Sequence, residues 1–153
     1  MKEINITKGQ RTLVDNKDYE ILMKHRWRCD VNGYAVRTTR NGIIKMQHFL
    51  IEGRNELCVD HINGNRLDNR RSNLRLCTKI ENSRNRKVGK NNTSGYKGVI
   101  FFPKNPKKPW RVQISVNGIK KHIGYFKNKV EAAVAYNSKA IELYGDFARL
   151  NKF

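Results

Sequence analysis

The stretch VDHINGNRLDNRRSNLRLCTKIENSRNRK, Val59 to Lys87, sets a carboxylate beside an imidazole at Asp60-His61 and follows them with Asn73 and Asn82. Carboxylate and amide oxygens are hard donors. They suit Mg²⁺ or Mn²⁺, and Mg²⁺ keeps several of its own waters. A histidine with a pKa of about 6.5 is neutral enough at pH 7 to take a proton from water. Together these groups could direct water at a phosphodiester, which needs a base and positive charge where negative charge develops. Asp60 and Asn82 are therefore candidate ligands of one divalent ion, and His61 is the candidate general base. Asn73 is placed to bond backbone in the long loop and fix the geometry of His61. Each residue alone has a plainer reading. An Asp-His pair before Asn-Gly shapes a turn, and an isolated Asn82 is an ordinary helix residue.

The elements around them must bring these groups together. Val59 and Asp60 read as the end of a strand. NGNRLDNRRSN is too polar to be anything but a structured loop, and a run such as RLDNRRSNLR is usually a solvated face that would suit phosphate contacts beside a cleaving site. Thr78 and Glu81 stand at capping-box spacing, which predicts a helix with Asn82 in its first turn. Upstream, INITKGQRTLVD offers two strands around Gly9. Asp15 reads as the N-cap of a helix with Tyr19, Leu22 and Met23 on one face. GYAVRTT and IIKMQHFLI flank Asn41-Gly42 as a hairpin. His48 sits in an apolar run and reads as a core or supporting histidine rather than a metal ligand. His25, Asp15 and Asp18 read as capping or surface residues.

Charge narrows the partner. Lys plus Arg number 32 against 13 Asp plus Glu, a net charge of +19, which fits a polyanion. Apolar runs fall far short of the ~18 residues of a membrane span. The N-terminus has no signal-peptide pattern, so a cytoplasmic, non-secreted protein is expected. Cys29, Cys58 and Cys77 are widely spaced and read as reduced thiols, with no structural zinc expected. Residues 1–86 hold 18 basic and 10 acidic residues; residues 87–153 hold 14 and 3. The polar stretch 87–93 reads as a linker between domains at 1–86 and 94–153.

In the second segment, Asn117-Gly118 predicts a two-residue hairpin. Pairing about that turn sets Val116 against Ile119, Ser115 against Lys120, Gln113 against His122 and Val112 against Ile123. One face then holds Val112, Ile114, Val116, Ile119 and Ile123; the other holds Arg111, Gln113, Ser115, Lys120 and His122. Lys121 breaks the apolar face. A helix with Val130, Ala133, Val134, Tyr136, Asn137, Ile141 and Tyr144 inward, ended by Gly145, would cover it. The uncovered face suits duplex DNA, with Arg111 and Gln113 for bases and Lys97, Lys104, Lys107, Lys108 and Lys120 for phosphates.

The pattern DHINGN…NLR…T..EN resembles the HNH endonuclease motif, in the subgroup found in phage and intron-encoded homing endonucleases. The resemblance covers residues 1–86. It implies an α+β protein with a ββα-metal (His-Me finger) nuclease domain, His61 as base, Asp60 and Asn82 on one metal ion and Asn73 as the central Asn. Phe49 follows His48 where relatives often carry Arg, so a phosphate contact would come from Arg75 or Arg84. GYKGV, WRVQISVNGIKKHIGYF, EAAVAYNSKAIELYG and FARLN resemble the Apetala-two DNA-binding domain of plant ethylene-response factors. That resemblance implies a three-stranded antiparallel sheet packed on one helix over residues 94–153, with Lys97 where relatives often have Arg. The expected protein is a site-selective, homing-type nicking endonuclease that acts as a monomer on DNA. The alternatives are a DNA-binding regulator with an inactive nuclease fold and a structured-RNA-binding protein.

Overall fold

The computed structural model describes residues 1–52, 55–89 and 91–153. The chain divides into two units, Met1–Asn82 and Ser83–Phe153.

In the first unit, β1 (Lys2–Asn5) and β2 (Arg11–Val14) pair antiparallel about a turn at Lys8-Gly9. Next comes α1 (Asn16–Met23), whose Leu22 is buried while Met23 is 51% exposed, so the inward stripe is narrower than the sequence suggests. A small sheet follows, with β3 (Arg28–Cys29), β4 (Ala35–Thr39) and β5 (Gly42–Lys45) in order; the β4–β5 turn is Arg40-Asn41, one residue earlier than expected, and Gly42 pairs with Thr39 as the first residue of β5. The expected second strand IIKMQHFLI stops early. From Met46 it becomes a short helix, α2 (Met46–Leu50). Met46, Gln47 and Leu50 are all buried, a spacing that a helix satisfies and an alternating strand does not. Then β6 (Cys58–His61) and β7 (Leu74–Cys77) form a two-stranded ribbon, and α3 (Lys79–Arg84) follows, its last two residues belonging to the second unit. Ile4, Val14, Leu22, Trp27, Val59 and Leu74 meet in one core, which joins the ribbon to the N-terminal elements.

The second unit is a sheet in the order β10 (Ile119–Phe126), β9 (Trp110–Val116), β8 (Val99–Phe101), with α4 (Lys129–Tyr144) packed on it. Asn117 and Gly118, both at positive φ (50° and 81°), make the expected hairpin turn. Pairing follows the expected register as far as His122 against Gln113. It then shifts at a β-bulge, and Val112 opposes Gly124 rather than Ile123. The extra residue keeps Ile123 on the core side and also turns Phe126 inward, where both pack against the core.

The buried face of α4 also differs from expectation. Val130, Val134 and Ile141 are exposed at 44%, 49% and 55%, while Ala132, Ala133, Tyr136, Ala140 and Tyr144 are buried. Ala132 and Ala133, with Ala140 two turns on, let the helix lie close to the sheet, and Tyr136 packs in the turn between them. That approach requires Gly98, at φ +76°. A Cβ there would stand 2.1 Å from the Tyr136 ring. Asn128 caps α4, its Oδ1 accepting from Val130 N (3.0 Å) and Glu131 N (2.8 Å).

Candidate active site

The ribbon register puts Asp60 opposite Arg75 and His61 opposite Leu74. Opposed residues share a face. Asp60 Oδ2 accepts from Arg75 Nε at 3.1 Å and Nη2 at 2.9 Å, and both side chains are largely buried. Arg75, a candidate phosphate contact by sequence, is thus the ion-pair partner of Asp60.

The loop from 62 to 73 is shaped by its own amides. Asn63 N donates to Asn73 Oδ1 (3.0 Å), and Asn73 Nδ2 donates to Asn63 Oδ1 (3.1 Å) and to the Asp68 carbonyl (2.8 Å). Ile62 N donates to the Asn73 carbonyl (2.9 Å). Asn73, buried at 7% exposure, therefore ties the two ends of the loop. Arg66 and Arg71 of RLDNRRSNLR are exposed, as expected of a solvated face, but the run also supplies two ion pairs that shape the loop. Arg70 grips Asp68 with Nε (2.7 Å) and Nη2 (2.6 Å), and Arg71 grips Asp18 with Nε (2.8 Å) and Nη2 (2.9 Å). Asp15 holds the N-cap position of α1 yet makes no side-chain cap there; its Oδ2 accepts from Arg71 N (2.8 Å). Asp18, expected at the surface, is buried. Main-chain bonds complete the docking: Leu13 N to the Leu67 carbonyl and Asn69 N to the Leu13 carbonyl, both 2.8 Å.

His61 is 4% exposed. Its Nε2 lies 3.2 Å from Asn69 Oδ1, and its ring centroid is 6.1 Å from that of Tyr34. Burial holds the imidazole pKa below its ordinary value, although Asn69, Asp60 and Asp68 pull the other way. Burial thus favours the uncharged ring, the form a general base requires. Asn69 Nδ2 in turn donates to Thr12 Oγ1 (2.8 Å), and Thr12 Oγ1 donates to the Leu67 carbonyl (2.8 Å). Sequence reasoning missed both residues. Asn69 was hidden in a run that looked like a charged surface. Thr12 lies 57 residues from its partner, and nothing in its own strand marks it.

Asn82 is half-buried in the first turn of α3. The capping box forms as the spacing predicts: Glu81 N donates to Thr78 Oγ1 (3.2 Å), and Thr78 N donates to Glu81 Oε2 (2.8 Å). Asn82 N donates to the Thr78 carbonyl (3.0 Å). Among the described residues, no three His, Cys, Asp or Glu side chains gather as a metal cage. One buried carboxylate and one amide oxygen fit a hard cation that keeps most of its coordination for water and phosphate. His48 is half-buried on α2. The Arg84 guanidinium lies 4.8 Å from the centroid of the Tyr144 ring.

In the second unit, the face opposite α4 carries Arg111, Gln113, Ser115, Lys120 and His122 in the paired register. Ile100 and Tyr125, both paired with Arg111, share it and were not foreseen. Arg111 Nη2 donates to Gln113 Oε1 (3.3 Å), and its guanidinium lies 5.2 Å from the Phe102 ring centroid. Lys104, Lys107 and Lys108 are exposed on the loop between β8 and β9. Lys97 is not displayed with them. Its Nζ donates to the carbonyls of Arg84 and Arg86, and burial brings its pKa down to about 8.

A family model described as HNH endonuclease matches residues 53–84. Over 151 residues the chain is 34% identical to "Uncharacterized HNH endonuclease L560" of Acanthamoeba polyphaga mimivirus, covering 95% of this chain and 76% of that protein. Over 91 residues it is 37% identical to "Protein 3.8" of Escherichia phage T7, covering 60% of this chain and 73% of that protein. No solved structure matches.

Proposed function

This chain belongs to the HNH endonuclease family, and we propose that it is a site-selective DNA endonuclease in which the first unit cuts and the second chooses and holds the duplex. The observation that carries the cutting role is His61: a buried imidazole at the end of β6, next to the Asp60 carboxylate and backed by Asn69. His61 takes a proton from the water that attacks phosphorus. Arg75 holds the Asp60 carboxylate in place, and Asn73 keeps the loop beside His61 closed. Asp60 and Asn82 would hold one Mg²⁺ or Mn²⁺. When bound, that ion supplies positive charge at the phosphate and the leaving oxygen.

Support for the reading role is the charge of +19 and the flat face of β8–β10 with Arg111, Gln113 and Lys120. This unit serves as an Apetala-two-like domain laid in the major groove, with Lys104, Lys107 and Lys108 near phosphates. One Asp60/His61/Asn82 set per chain favours a homing-type enzyme that nicks one strand as a monomer, working in the cytoplasm of a bacterial or phage-infected cell. The test is purified protein on phage and host DNA, with and without Mg²⁺, with the breaks mapped. Nicked plasmid is expected before linear plasmid. His61→Ala is expected to lose cleavage by roughly 10² to 10⁴-fold with DNA binding intact. Unchanged turnover in that variant would remove His61 from the mechanism.

A further inference from the structure

The hydrogen bonds behind His61 have a direction. Thr12 Oγ1 lies 2.8 Å from the Leu67 carbonyl oxygen. A carbonyl cannot donate, so the one hydroxyl proton of Thr12 lies on that line. The Met46 sulfur, 3.9 Å from the same hydroxyl, is a weak and distant competitor. The Leu67 carbonyl also accepts from Leu13 N, which holds it still. Thr12 Oγ1 therefore meets the Asn69 amide, 2.8 Å away, with a lone pair.

An amide's two ends are told apart by what they bond. If the oxygen of Asn69 faced Thr12, two acceptors would touch where Thr12 and Asn69 are both 0% exposed and no solvent can intervene. So the NH₂ of Asn69 faces Thr12, and Oδ1 faces His61 Nε2 at 3.2 Å. An acceptor there requires Nε2 to carry the proton. A neutral imidazole has one N–H, so its lone pair is on Nδ1.

We infer that Thr12 and Asn69 are positioning residues that hold neutral His61 as its Nε2–H tautomer, making Nδ1 the atom that accepts the proton from water. The inference rests on the reading of His61 as general base and adds what fixes that base. Thr12 lies on β2, outside the stretch 53–84 that matches the family model. The orientation of the base is therefore set by an element of the N-terminal hairpin. The logic is that of a base whose tautomer a third group selects.

The test uses the full chain labelled with ¹⁵N-histidine, at a mildly alkaline pH where the ring is neutral. A His61→Gln sample identifies the His61 signals among the four histidines. The wild type is expected to show the Nε2–H pattern alone; an Nδ1–H pattern overturns the proposal without any variant. Thr12→Val keeps the shape and removes the lone pair. It should let both tautomers appear, with kcat falling about two- to tenfold and KM unmoved. Thr12→Ser should restore a single tautomer and the rate. A single unchanged tautomer in Thr12→Val, or a Thr12→Ser variant as impaired as Thr12→Val, would show that the hydroxyl is not the device. Absence of DNA cleavage by the wild type would defeat the nuclease reading instead, and the tautomer measurement does not depend on it.

Discussion

Asp60 and Arg75 face each other across β6 and β7, with one carboxylate oxygen taking two guanidinium hydrogen bonds at 3.1 and 2.9 Å. A cation bound at Asp60 shares that carboxylate with a fixed positive charge. Arg75→Met removes the competitor and leaves a buried carboxylate in need of a counter-ion. The Mg²⁺ concentration for half-maximal cleavage is expected to fall by roughly three- to tenfold, equivalent to ~0.6–1.4 kcal/mol. A metal titration of cleavage checks this, and a rise in the required concentration would mean that Arg75 assists metal binding.

Acid should loosen the loop through Asp68. The Arg70 guanidinium, with Asn63 beside it, holds the Asp68 carboxyl below the ordinary carboxylate range, against the opposing effect of burial. The unfolded chain, with a pKa near 3.8, then binds a proton more readily than the folded one. Stability from this group is therefore complete above that value and is lost as pH falls through the folded pKa. Asp68→Asn should flatten this part of the stability–pH curve and cost about 1–3 kcal/mol at neutral pH. Denaturant midpoints across pH for both proteins provide the comparison.

Among the described glycines of the second unit, Gly98 has the least room for a side chain. An Ala there would need a left-handed φ of +76° and would collide with the Tyr136 ring and the Gln113 carbonyl. Strain of about 1–2 kcal/mol adds to overpacking of about 1–3 kcal/mol. Gly98→Ala is expected to lower the unfolding temperature markedly, while Gly118→Ala, with open space around it, should cost only the conformational part. Equal losses in the two variants would contradict the packing described for Gly98.

Base and phosphate contacts separate by sequence dependence. Arg111, braced by Gln113 and Phe102, is the proposed base contact, and its truncation should relax site preference at a cost of about 1–3 kcal/mol. Lys107→Ala or Lys108→Ala should weaken all sites alike and reduce the log–log salt slope by about 0.9 each. Binding measured on specific and scrambled duplexes at several salt concentrations distinguishes the two behaviours.

Local signals survived into the structure where partners are close in sequence. The Thr78–Glu81 capping box and the Asn117-Gly118 turn each involve residues within one turn of each other, so spacing alone carries them. The Ile123 bulge was not legible, because Val-Gln-Ile-Ser-Val and Ile-Lys-Lys-His-Ile pair equally well on paper until Phe126 must reach the core. The inward face of α4 was misread because hydrophobicity favours Val130, Val134 and Ile141, whereas close approach to the sheet favours Ala132, Ala133 and Ala140. Around His61, the motif residues were visible by type. Asn69, Thr12 and the Asp18–Arg71 pair were not, since each works through a partner more than fifty residues away or through a residue that looked like surface.

That separation has a consequence for how the protein comes into being. Leu13 bonds the chain on either side of Asp68, and Arg71 closes on Asp18 across 53 residues. Each contact must bear the entropy of closing a long loop before it returns anything. The loop between β6 and β7 has amide bonds of its own, but its docking is completed only by the amino-terminal hairpin and α1. A peptide excised around the motif would carry the proposed base His61 and the proposed oxygen donors Asp60 and Asn82, yet it would remain a set of polar groups without an address. Grafting this chemistry onto another scaffold means transplanting the first eighteen residues along with it.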